Sequence, residues 1–390
     1  MPAPLVEQAV IDAWDHGNAL LKYISPNDTG ITGGHQCGFY LPKHSWRMFT
    51  VNPPRKGKNA EQMVEVLWQG DFTTRSCIKW YGVGTRSEYR ITRFGRDFPF
   101  LTEDNVGDLF VLIRTGESTF KAFVFDRAAD IEDIQASLGV EVTGTVGIFT
   151  GVRKTEETED DCINKHFRGF VEKLRAFPDT SSFSSTTLKA LLDCMPRFGS
   201  FSPDIRLMAL IENEYSLFRM AEKLLCQDEI FRRYRSVDDF LSTASRIMNR
   251  RKSRAGRSLE NHVGYILRDT KVPFQARVTV DGVPDILIPG KDAYLDKDWP
   301  LDRLFAVGVK TTCKDRWRQV LNEAKRVPRK HILTIQHGIS AKQLVEMRDS
   351  GVSLVVPKAL HSLYPAVPGM QILSLDGFIT TVRRSLALAS

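Results

Sequence analysis

Four ionisable residues in the second half of the chain have the types and spacing that metal-dependent hydrolysis requires. Asp285 follows a proline at the start of the apolar run DILI, and Lys310 ends the next apolar run, LFAVGVK. Glu323 lies further along the following segment, and Glu260 lies on an amphipathic segment before the others. Neighbouring strands can bring Asp285 and Lys310 to one edge of a sheet, where flanking helices can add both glutamates.

Carboxylates that converge on one point are what Mg²⁺ needs, because this ion takes hard oxygen ligands. A lysine beside them can orient or deprotonate a water and can neutralise charge that develops on a phosphate. Such a set would hydrolyse a phosphodiester bond. The alternative is a group of ordinary surface charges, since a Pro-Asp pair followed by a distant lysine also arises by chance.

A charged triplet, Lys314, Asp315 and Arg316, directly follows the strand that ends in Lys310. We predict a helix over 311–327, with Thr312 and Asp315 in capping-box spacing. Cations are unexpected there, because the N-terminus of a helix is its positive end. In a DNA major groove, Lys and Arg pair with guanine and Asp accepts from cytosine, so the triplet suits consecutive G·C pairs. The simpler alternative for Asp315 is a capping residue.

A second basic run, SRIMNRRKSRAGR at 245–257, lies immediately before Glu260. Basic runs are usually solvated, but this one adjoins the proposed site, where a phosphate clamp is useful. The candidate phosphate contacts are Arg250, Arg251, Lys252 and Arg254.

Length and composition indicate a globular protein of two domains. The chain has 390 residues, 42% hydrophobic and 26% charged, with a formal net charge of +7, which suits a polyanionic partner. No apolar run is long enough for a membrane span, and the N-terminus is not a signal peptide. The six cysteines are scattered without C-x-x-C spacing. We therefore expect a cytoplasmic protein with neither a zinc site nor a disulfide framework.

The order of patterns along the chain predicts the domains. Residues 1–175 show one amphipathic helix and then short β-branched or aromatic runs between turn residues, which is typical of a mainly β barrel or sandwich. Residues 176–187 are rich in Ser and Thr and are predicted to be a linker. Residues 188–390 alternate helices and strands, as in an α/β domain.

Several long segments of the chain are distinctive. They are NRRKSRAGRSLE, VKTTCKDRWRQVLNEA and SGVSLVVP in the second half, and NDTGITGGHQCGFYLP (27–42) and TRSEYRITRFGR (85–96) in the first half. Together they resemble the EcoRII family of type II (type IIE) restriction endonucleases. The resemblance covers nearly the whole chain in the same domain order.

The resemblance implies that the C-terminal domain has the PD-(D/E)xK nuclease fold. On that mapping Asp285 and Glu323 ligate Mg²⁺, Lys310 positions the attacking water and the scissile phosphate, and Glu260 supports the metal or its water shell. The base-reading triplet maps onto residues 314–316. Such enzymes act as homodimers on double-stranded DNA with CCWGG-like sites, which they cut before the first cytosine to leave 5′ overhangs.

Relatives of this fold flip the central base pair onto an aromatic ring, and Tyr215 occupies the matching position. The arginine that the family places four residues earlier is Ile211 here. Because of this departure an alternative stays open, in which Tyr215 simply packs between helices.

The resemblance also implies that the N-terminal domain is a pseudobarrel that binds a second DNA site as an effector. An alternating strand would put Glu88 and Arg90 on one face, where they suit a C·G pair. At two positions beside this patch where the family has lysine, this chain has Gly84 and Tyr89. Effector binding is therefore expected to be weaker or less dependent on salt. The expected effector-binding residues are His35, Tyr40, Arg86, Glu88, Arg90, Arg93 and Arg96.

Two other functions compete with an effector-stimulated restriction endonuclease. One is a DNA-binding regulator without chemistry, which would not need the four residues Glu260, Asp285, Lys310 and Glu323. The other is a repair or structure-specific nuclease on the same fold, which would need less base readout than the charged triplet offers.

Overall fold

The computed structural model describes residues 4–31, 37–49, 55–151 and 161–387, and these residues form two compact units. We call them the N-terminal unit and the C-terminal unit. The first comprises Met1–Thr155, Gln336–Glu346 and Ser362–Gly369, and the second comprises Glu156–Ile335, Met347–His361 and Met370–Ser390.

The N-terminal unit is built on one sheet of eight strands in the order β2-β5-β4-β3-β7-β6-β1-β8. Neighbouring strands are antiparallel except β3 and β7. The strands are β1 Asn18–Tyr23, β2 Phe39–Pro42, β3 Ala60–Trp68, β4 Phe72–Tyr81, β5 Glu88–Thr92, β6 Leu109–Arg114, β7 Thr119–Phe125 and β8 Gly147–Thr150. The helices are α1 Pro4–His16, α2 Pro26–Thr29 and α3 Ala128–Leu138.

Both faces of this sheet are covered along β1 and β6, because successive side chains of a strand point to opposite faces. Leu20 and Phe110 join an aromatic cluster, in which the rings of Phe39 and Phe110 stack with centroids 3.9 Å apart. Leu21 and Val111 join the cluster on the other face, to which α1 and α3 contribute. The mainly β first domain is therefore present.

The C-terminal unit contains a sheet of six strands in the order β14-β13-β12-β11-β10-β9. The four strands β11 to β14 are parallel, while β10 and β9 are antiparallel to their neighbours. The strands are β9 Gln275–Ala276, β10 Ile286–Ile288, β11 Phe305–Lys310, β12 Lys330–Thr334, β13 Val352–Val355 and β14 Ile372–Leu373.

Helices follow β8 along the chain, and those of eleven or more residues contribute apolar side chains to the core on this second sheet. They are α4 Asp161–Val171, α5 Thr180–Cys194, α6 Pro203–Leu225, α7 Gln227–Phe231, α8 Val237–Asp269, α9 Lys291–Leu295, α10 Ala341–Asp349 and α11 Leu375–Ser385. The alternation of β10 shows the two-sided burial: Ile286 and Ile288 enter the large helix-covered core, and Leu287 enters the opposite cluster.

The helix α8 carries both the basic run and Glu260, and its start is set by local chemistry. Ser236 caps it by accepting a hydrogen bond from the amide of Asp239 at 3.1 Å. Asp238 and Asp239 lie in its first turn, where the helix dipole favours acidic side chains. Within the described ranges, no helix is long and apolar enough to cross a membrane.

The prediction of a linker at 176–187 is wrong for most of these residues, because Thr180–Cys194 is a helix. Asp179 caps it by accepting from the amide of Ser182 at 2.8 Å, and Phe183, Thr187 and Leu191 are buried one turn apart. The many hydroxyl residues therefore cover a helix with a regular apolar stripe. This helix belongs to the C-terminal unit.

The helix predicted over 311–327 is also wrong. Its residues form a turn and then one short 3-10 helix, Trp317–Asn322, whose N-cap is Arg316. The expected capping box of Thr312 and Asp315 therefore has no helix to cap. The chain becomes extended at Glu323 and then takes a positive φ of 45° at Ala324. Burial of Trp317 and Val320 holds this irregular path.

The expectation of no disulfide is overturned in the C-terminal unit. Cys162 of α4 and Cys194 of α5 are bonded, with Cα atoms 5.8 Å apart. Their separation of 32 residues along the chain gives no local spacing signal, so a sequence reading could not pair them.

Candidate active site

The register of β10 and β11 brings Asp285 and Lys310 together. Ile286 lies opposite Val307, so Asp285 stands beside the end of β11. The Nζ of Lys310 donates to Oδ2 of Asp285 at 2.7 Å, and the amide of Val309 donates to the same oxygen at 2.8 Å. Asp285 is thus held at the sheet edge by one charged and one backbone donor.

Glu323 faces the same point from the residue after the 3-10 helix. Burial and the negative charge of Asp285 raise the pKa of Glu323, while the charges of Lys310 and Lys330 oppose the rise. A half-buried carboxylate whose ionised form is disfavoured by a neighbouring carboxylate is a group that a cation would stabilise. The structure therefore brings together three of the four residues expected at the metal site.

A glycine makes room for Glu323. Gly282 has a φ of +84°, and a Cβ at this position would lie 3.1 Å from Cγ of Glu323. The left-handed backbone and the close approach both require glycine here.

Lys330 holds the chain that follows Glu323, and no pattern in the sequence signals this role. Its side chain is buried, and burial lowers its pKa to about 8. Its ammonium group donates to the carbonyl oxygens of Ala324 and Val327. The buried amine thus fixes the irregular turn that presents Glu323.

Glu260, the fourth expected residue, is engaged by an arginine that the sequence reading missed. Arg277 donates through Nε to Oε2 of Glu260 at 2.9 Å and through Nη2 to Oε1 at 2.8 Å. This contact raises the pKa of Arg277, with a further contribution from the charge of Asp285. Arg277 therefore lies in the field of both carboxylates, although in the sequence it belongs only to a strand pattern.

A cleft of about 630 Å³ opens beside these groups, between α5 and α8. Glu260 and Asp285 both line it, together with Arg257, Arg268 and Arg277. A strip of positive charge next to a carboxylate pair suits a phosphate backbone.

A buried polar cluster anchors the wall of this cleft. Oε2 of Glu214 accepts from Oγ of Ser184 at 2.7 Å and lies 2.8 Å from Nε2 of His262. Burial would raise the pKa of Glu214, but the contacts of His262 and Ser184 and the charge of Arg254 outweigh it, so the net shift is downward. Asn261 donates to Oγ of Ser184 at 3.0 Å. The cluster ties α5, α6 and α8 together near Glu260.

The charged triplet lies on the turn after β11. The side chain of Lys314 is buried, that of Arg316 is half-buried and that of Asp315 is exposed. Asp315 is therefore the member most open to a ligand. Arg318 is exposed, with its guanidinium 4.6 Å from the ring centroid of Trp317.

The four expected phosphate contacts of the basic run lie in different surroundings. Arg251 donates to both carboxylate oxygens of Glu222, at 2.7 and 3.0 Å, and Arg254 is 4% exposed beside Glu214. These two are tied to acidic residues of α6, because a helix spreads a run of charges around its whole circumference. The guanidinium of Arg250 lies 3.8 Å from the ring centroid of Phe177, and Lys252 is half-buried.

Tyr215 is half-buried on α6, and the guanidinium of Arg254 lies 5.3 Å from its ring centroid. Ile211, one turn earlier, is 4% exposed and belongs to the core. Tyr215 thus has an arginine neighbour from α8 although position 211 is apolar.

In the N-terminal unit, Glu88 and Arg90 share the outer face of β5, as the alternation predicted. Nε of Arg90 lies 3.6 Å from Oε1 of Glu88, and Arg90 is opposite Tyr40 on β2 and Lys79 on β4. Burial, and next the charge of Glu88, raise the pKa of Tyr40. Tyr89 points inward and is buried.

The remaining residues expected to bind effector lie around this face or outside the described ranges. The guanidinium of Arg86 lies 5.4 Å from the ring centroid of Tyr81, Arg93 lies 3.9 Å from Glu61, and Arg96 is exposed. His35 lies outside the residues that the structure describes.

Comparison with known proteins agrees with this two-part organisation. The family described as EcoRII C terminal matches residues 218–379, and the family described as restriction endonuclease EcoRII, N-terminal, matches residues 15–152. The type II restriction enzyme EcoRII of Escherichia coli is 32% identical over 393 residues, which cover 92% of each chain.

Two solved structures are more distant. Metal-depleted Ecl18kI in complex with uncleaved, modified DNA is 16% identical, with 56% of this chain and 83% of that chain covered and a TM-score of 0.42. The PspGI complex with substrate DNA is 14% identical, with 53% of this chain and 94% of that chain covered and a TM-score of 0.43.

The family matches and the carboxylate–lysine site together define a DNA-binding, site-specific nuclease of the restriction class. More particularly, the chain belongs to the EcoRII family of type II restriction endonucleases. Membership implies a divalent metal cofactor, and it confirms the predicted fold class of an N-terminal β pseudobarrel and a C-terminal PD-(D/E)xK domain.

Proposed function

We propose that this enzyme is a Mg²⁺-dependent endonuclease whose reaction centre is formed by Asp285, Lys310 and Glu323. The observation that carries the proposal is the meeting of Lys310 and Asp285 at 2.7 Å beside a half-buried Glu323. The donor set fits Mg²⁺, because it offers carboxylate oxygens, and because burial and the charge of Asp285 raise the pKa of Glu323, so that a cation would stabilise its ionised form.

The residues of the chain have separate duties in this mechanism. Asp285 and Glu323 would hold the cation, which when bound supplies positive charge to the oxygens of the scissile phosphate. Lys310 would turn from Asp285 to donate to the phosphate and to orient the attacking water. Arg277 pairs with Glu260 at the edge of the cleft. From this pair, Glu260 would support the water shell of the cation.

For recognition, we propose that the turn after β11 reads base edges in the major groove. Asp315 accepts from cytosine and Arg316 donates to guanine, while Lys314 completes the triplet from a more buried position. A CCWGG-like site, cut before its first cytosine, fits this readout. Tyr215 is the candidate ring for a flipped base.

The proposed enzyme acts as a homodimer in the cytoplasm on double-stranded DNA, since a two-fold symmetric site is matched by two copies of one chain. A second copy of the site binds the N-terminal unit as an effector. Glu88 and Arg90 on β5 suit a C·G pair, with Tyr40 beside them on β2.

A cleavage assay tests the catalytic proposal. Wild-type protein with Mg²⁺ should cut a DNA with several CCWGG sites before the first cytosine, as end sequencing would show. Lys310→Ala should lose at least about 100-fold in rate but bind the same duplex. Lys189→Ala, at an exposed lysine on α5, is the control and should cut normally. Equal cleavage by both variants would exclude Lys310 from the reaction, and discrete cuts elsewhere would overturn the CCWGG assignment.

The effector proposal needs a single-site DNA. A short CCWGG duplex added in trans should stimulate cleavage by the wild-type protein, and Glu88→Ala should abolish the stimulation while leaving cleavage of multi-site DNA detectable. Glu103→Ala, at an exposed position of the same unit, is the control. Stimulation that survives in the Glu88 variant would remove this residue from effector recognition.

A further inference from the structure

A group of metal-ligand side chains lies where α4 meets α5, apart from the carboxylates of the reaction centre. Cys162 and His166 are one turn apart on α4, and Cys194 ends α5. The ligand atoms of these three residues all lie within 4.8 Å of one another. Among the described residues, it is the one group of three or more His, Cys, Asp or Glu side chains that are close enough to share an ion.

A fourth ligand lies next to the group. Oδ2 of Asp193 is 3.8 Å from Nε2 of His166, and the side chains of Asp193 and His166 are 46% and 34% exposed. Two helices thus present two sulfurs and one imidazole nitrogen within 4.8 Å of one another, with the Asp193 carboxylate beside the imidazole, where solvent has access. Cysteine sulfur, histidine nitrogen and aspartate oxygen are all ligands that tetrahedral Zn²⁺ accepts.

We propose that, once the Cys162–Cys194 disulfide is reduced, Cys162, His166, Asp193 and Cys194 form a binding site for Zn²⁺. The disulfide already holds both cysteines on facing helices with Cα atoms 5.8 Å apart. Only the sulfur atoms must separate for both to reach one cation. The disulfide and the zinc site are therefore alternative cross-links between α4 and α5.

The chemistry balances with a small-molecule thiol as the reductant. Reduction breaks the S–S bond, and the two cysteines take up two electrons and two protons while two molecules of the external thiol become a disulfide. Zinc binding then forms two Zn–S bonds and releases the two thiol protons to water, because the thiolate is the ligand form.

The ligand set distinguishes this site from the reaction centre. Sulfur ligands favour Zn²⁺ and other soft or borderline cations, whereas the carboxylates of Asp285 and Glu323 favour Mg²⁺. The other cysteines do not compete: Cys77, Cys226 and Cys313 are buried, and Cys37 lies on the N-terminal unit.

The site has a structural consequence in either redox state. Residues 184 and 185 of α5 line the cleft beside the reaction centre, and Cys194 is the last residue of the same helix. A cross-link to α4 at that end would hold the helix whether the solution is oxidising or reducing.

Cobalt and zinc binding to the full-length protein tests the proposal. In an Asp285→Ala background, which disables the carboxylate site, the reduced protein should bind one Co²⁺ with thiolate-to-cobalt charge-transfer absorption, and Zn²⁺ should displace it. The oxidised protein should show no such absorption. Cys162→Ser and Cys194→Ser should lose it, and Cys37→Ser, the control at an exposed cysteine, should keep it.

His166→Ala keeps both cysteines, so it tests the proposal even if the cysteine variants fail to fold. It should still form the disulfide, and in the reduced state its Co²⁺ affinity should fall at least about tenfold. Unchanged affinity in this variant, absorption that persists when both cysteines are replaced, or no absorption in the reduced parent protein would each overturn the proposal.

Discussion

Lys310 and Asp285 form an ion pair at the end of two antiparallel strands, with Nζ and Oδ2 2.7 Å apart. The same carboxylate oxygen accepts the amide of Val309. Because the strand register fixes both partners, the pair can present a carboxylate and an ammonium group to one phosphate with little reorganisation. Asp285 would also hold the cation, and Lys310 would then donate to the phosphate instead of to this oxygen.

Asp285→Asn should weaken divalent-metal binding and cleavage together. The amide keeps the shape of the side chain but removes the negative charge that holds both the cation and Lys310. We expect at least about a tenfold loss of Mg²⁺ affinity, measured by calorimetric titration, and a larger loss of cleavage rate. Asp292→Asn, at an exposed position in the first turn of α9, is the control. Metal affinity equal to wild type would place the cation elsewhere.

Gly282→Ala should impair catalysis through Glu323. The new Cβ would lie 3.1 Å from Cγ of Glu323, and a φ of +84° is strained for alanine. We expect a loss of about 1–2 kcal/mol in the free energy of unfolding and a loss of cleavage beyond what that instability explains.

Gly256→Ala provides the matched control for that substitution. Gly256 lies within α8, and a Cβ there would meet nothing within 4 Å. Alanine should raise the free energy of unfolding by about 0.5–1 kcal/mol and leave cleavage unchanged. For both variants, urea unfolding measures the free energy of unfolding, and initial rates measure DNA cleavage. Normal cleavage by Gly282→Ala would show that Glu323 tolerates displacement.

The elements with a regular hydrophobic period were predictable from the sequence. The strand ending in Lys310 and the outward face of Glu88 and Arg90 follow from runs whose alternation or continuous burial matches a strand. Asp285 and Lys310 could be named because they stand at the ends of such strands. The pairing of β10 with β11 then made them neighbours.

The parts that were not predicted depend on contacts between distant segments. The turn from Thr311 to Arg316 was expected to be helical, but burial of Trp317 and the hydrogen bonds of Lys330 to Ala324 and Val327 stabilise another path. Arg277 and the Cys162–Cys194 pair likewise acquire their roles from partners that no local spacing reveals. Tertiary packing overrides propensity in such segments.

His331 should make the stability of the enzyme fall in mild acid. Burial lowers its pKa to about 4, against about 6.5 in an unfolded chain. Between these values the unfolded state binds more protons than the folded state, so the free energy of unfolding falls as pH drops from about 6.5 to about 4. The loss from this residue alone should reach about 3 kcal/mol.

The substitution His331→Phe should remove that component. The ring of His331 already lies among Phe305 and Phe378, with centroids 5.8 and 5.1 Å away, so an apolar ring suits the position. Urea unfolding at a series of pH values should show a flatter acid limb for this variant. His16→Gln, at an exposed histidine, should keep the wild-type limb. Identical limbs in all three proteins would exclude His331 as the source.

Glu214→Gln should be the most destabilising of these changes. The carboxylate lies buried among His262, Ser184 and Arg254, and its neutralisation removes a negative charge that faces the buried guanidinium of Arg254. We expect the free energy of unfolding to fall by about 3–5 kcal/mol. The pKa of Glu214 is lowered in the folded state, so its contribution is present above the unfolded pKa and is lost as pH falls through the folded value.

Glu212→Gln separates this effect from a general loss of charge on α6. Glu212 is exposed on the same helix, and its substitution should change the free energy of unfolding by no more than about 0.5 kcal/mol. Because the Glu214 cluster holds α8, which carries Glu260, the Glu214→Gln variant should also cut DNA more slowly at a temperature where it is still folded. Stability within about 1 kcal/mol of wild type would mean that Arg254 reaches solvent or another acceptor when Glu214 is neutral.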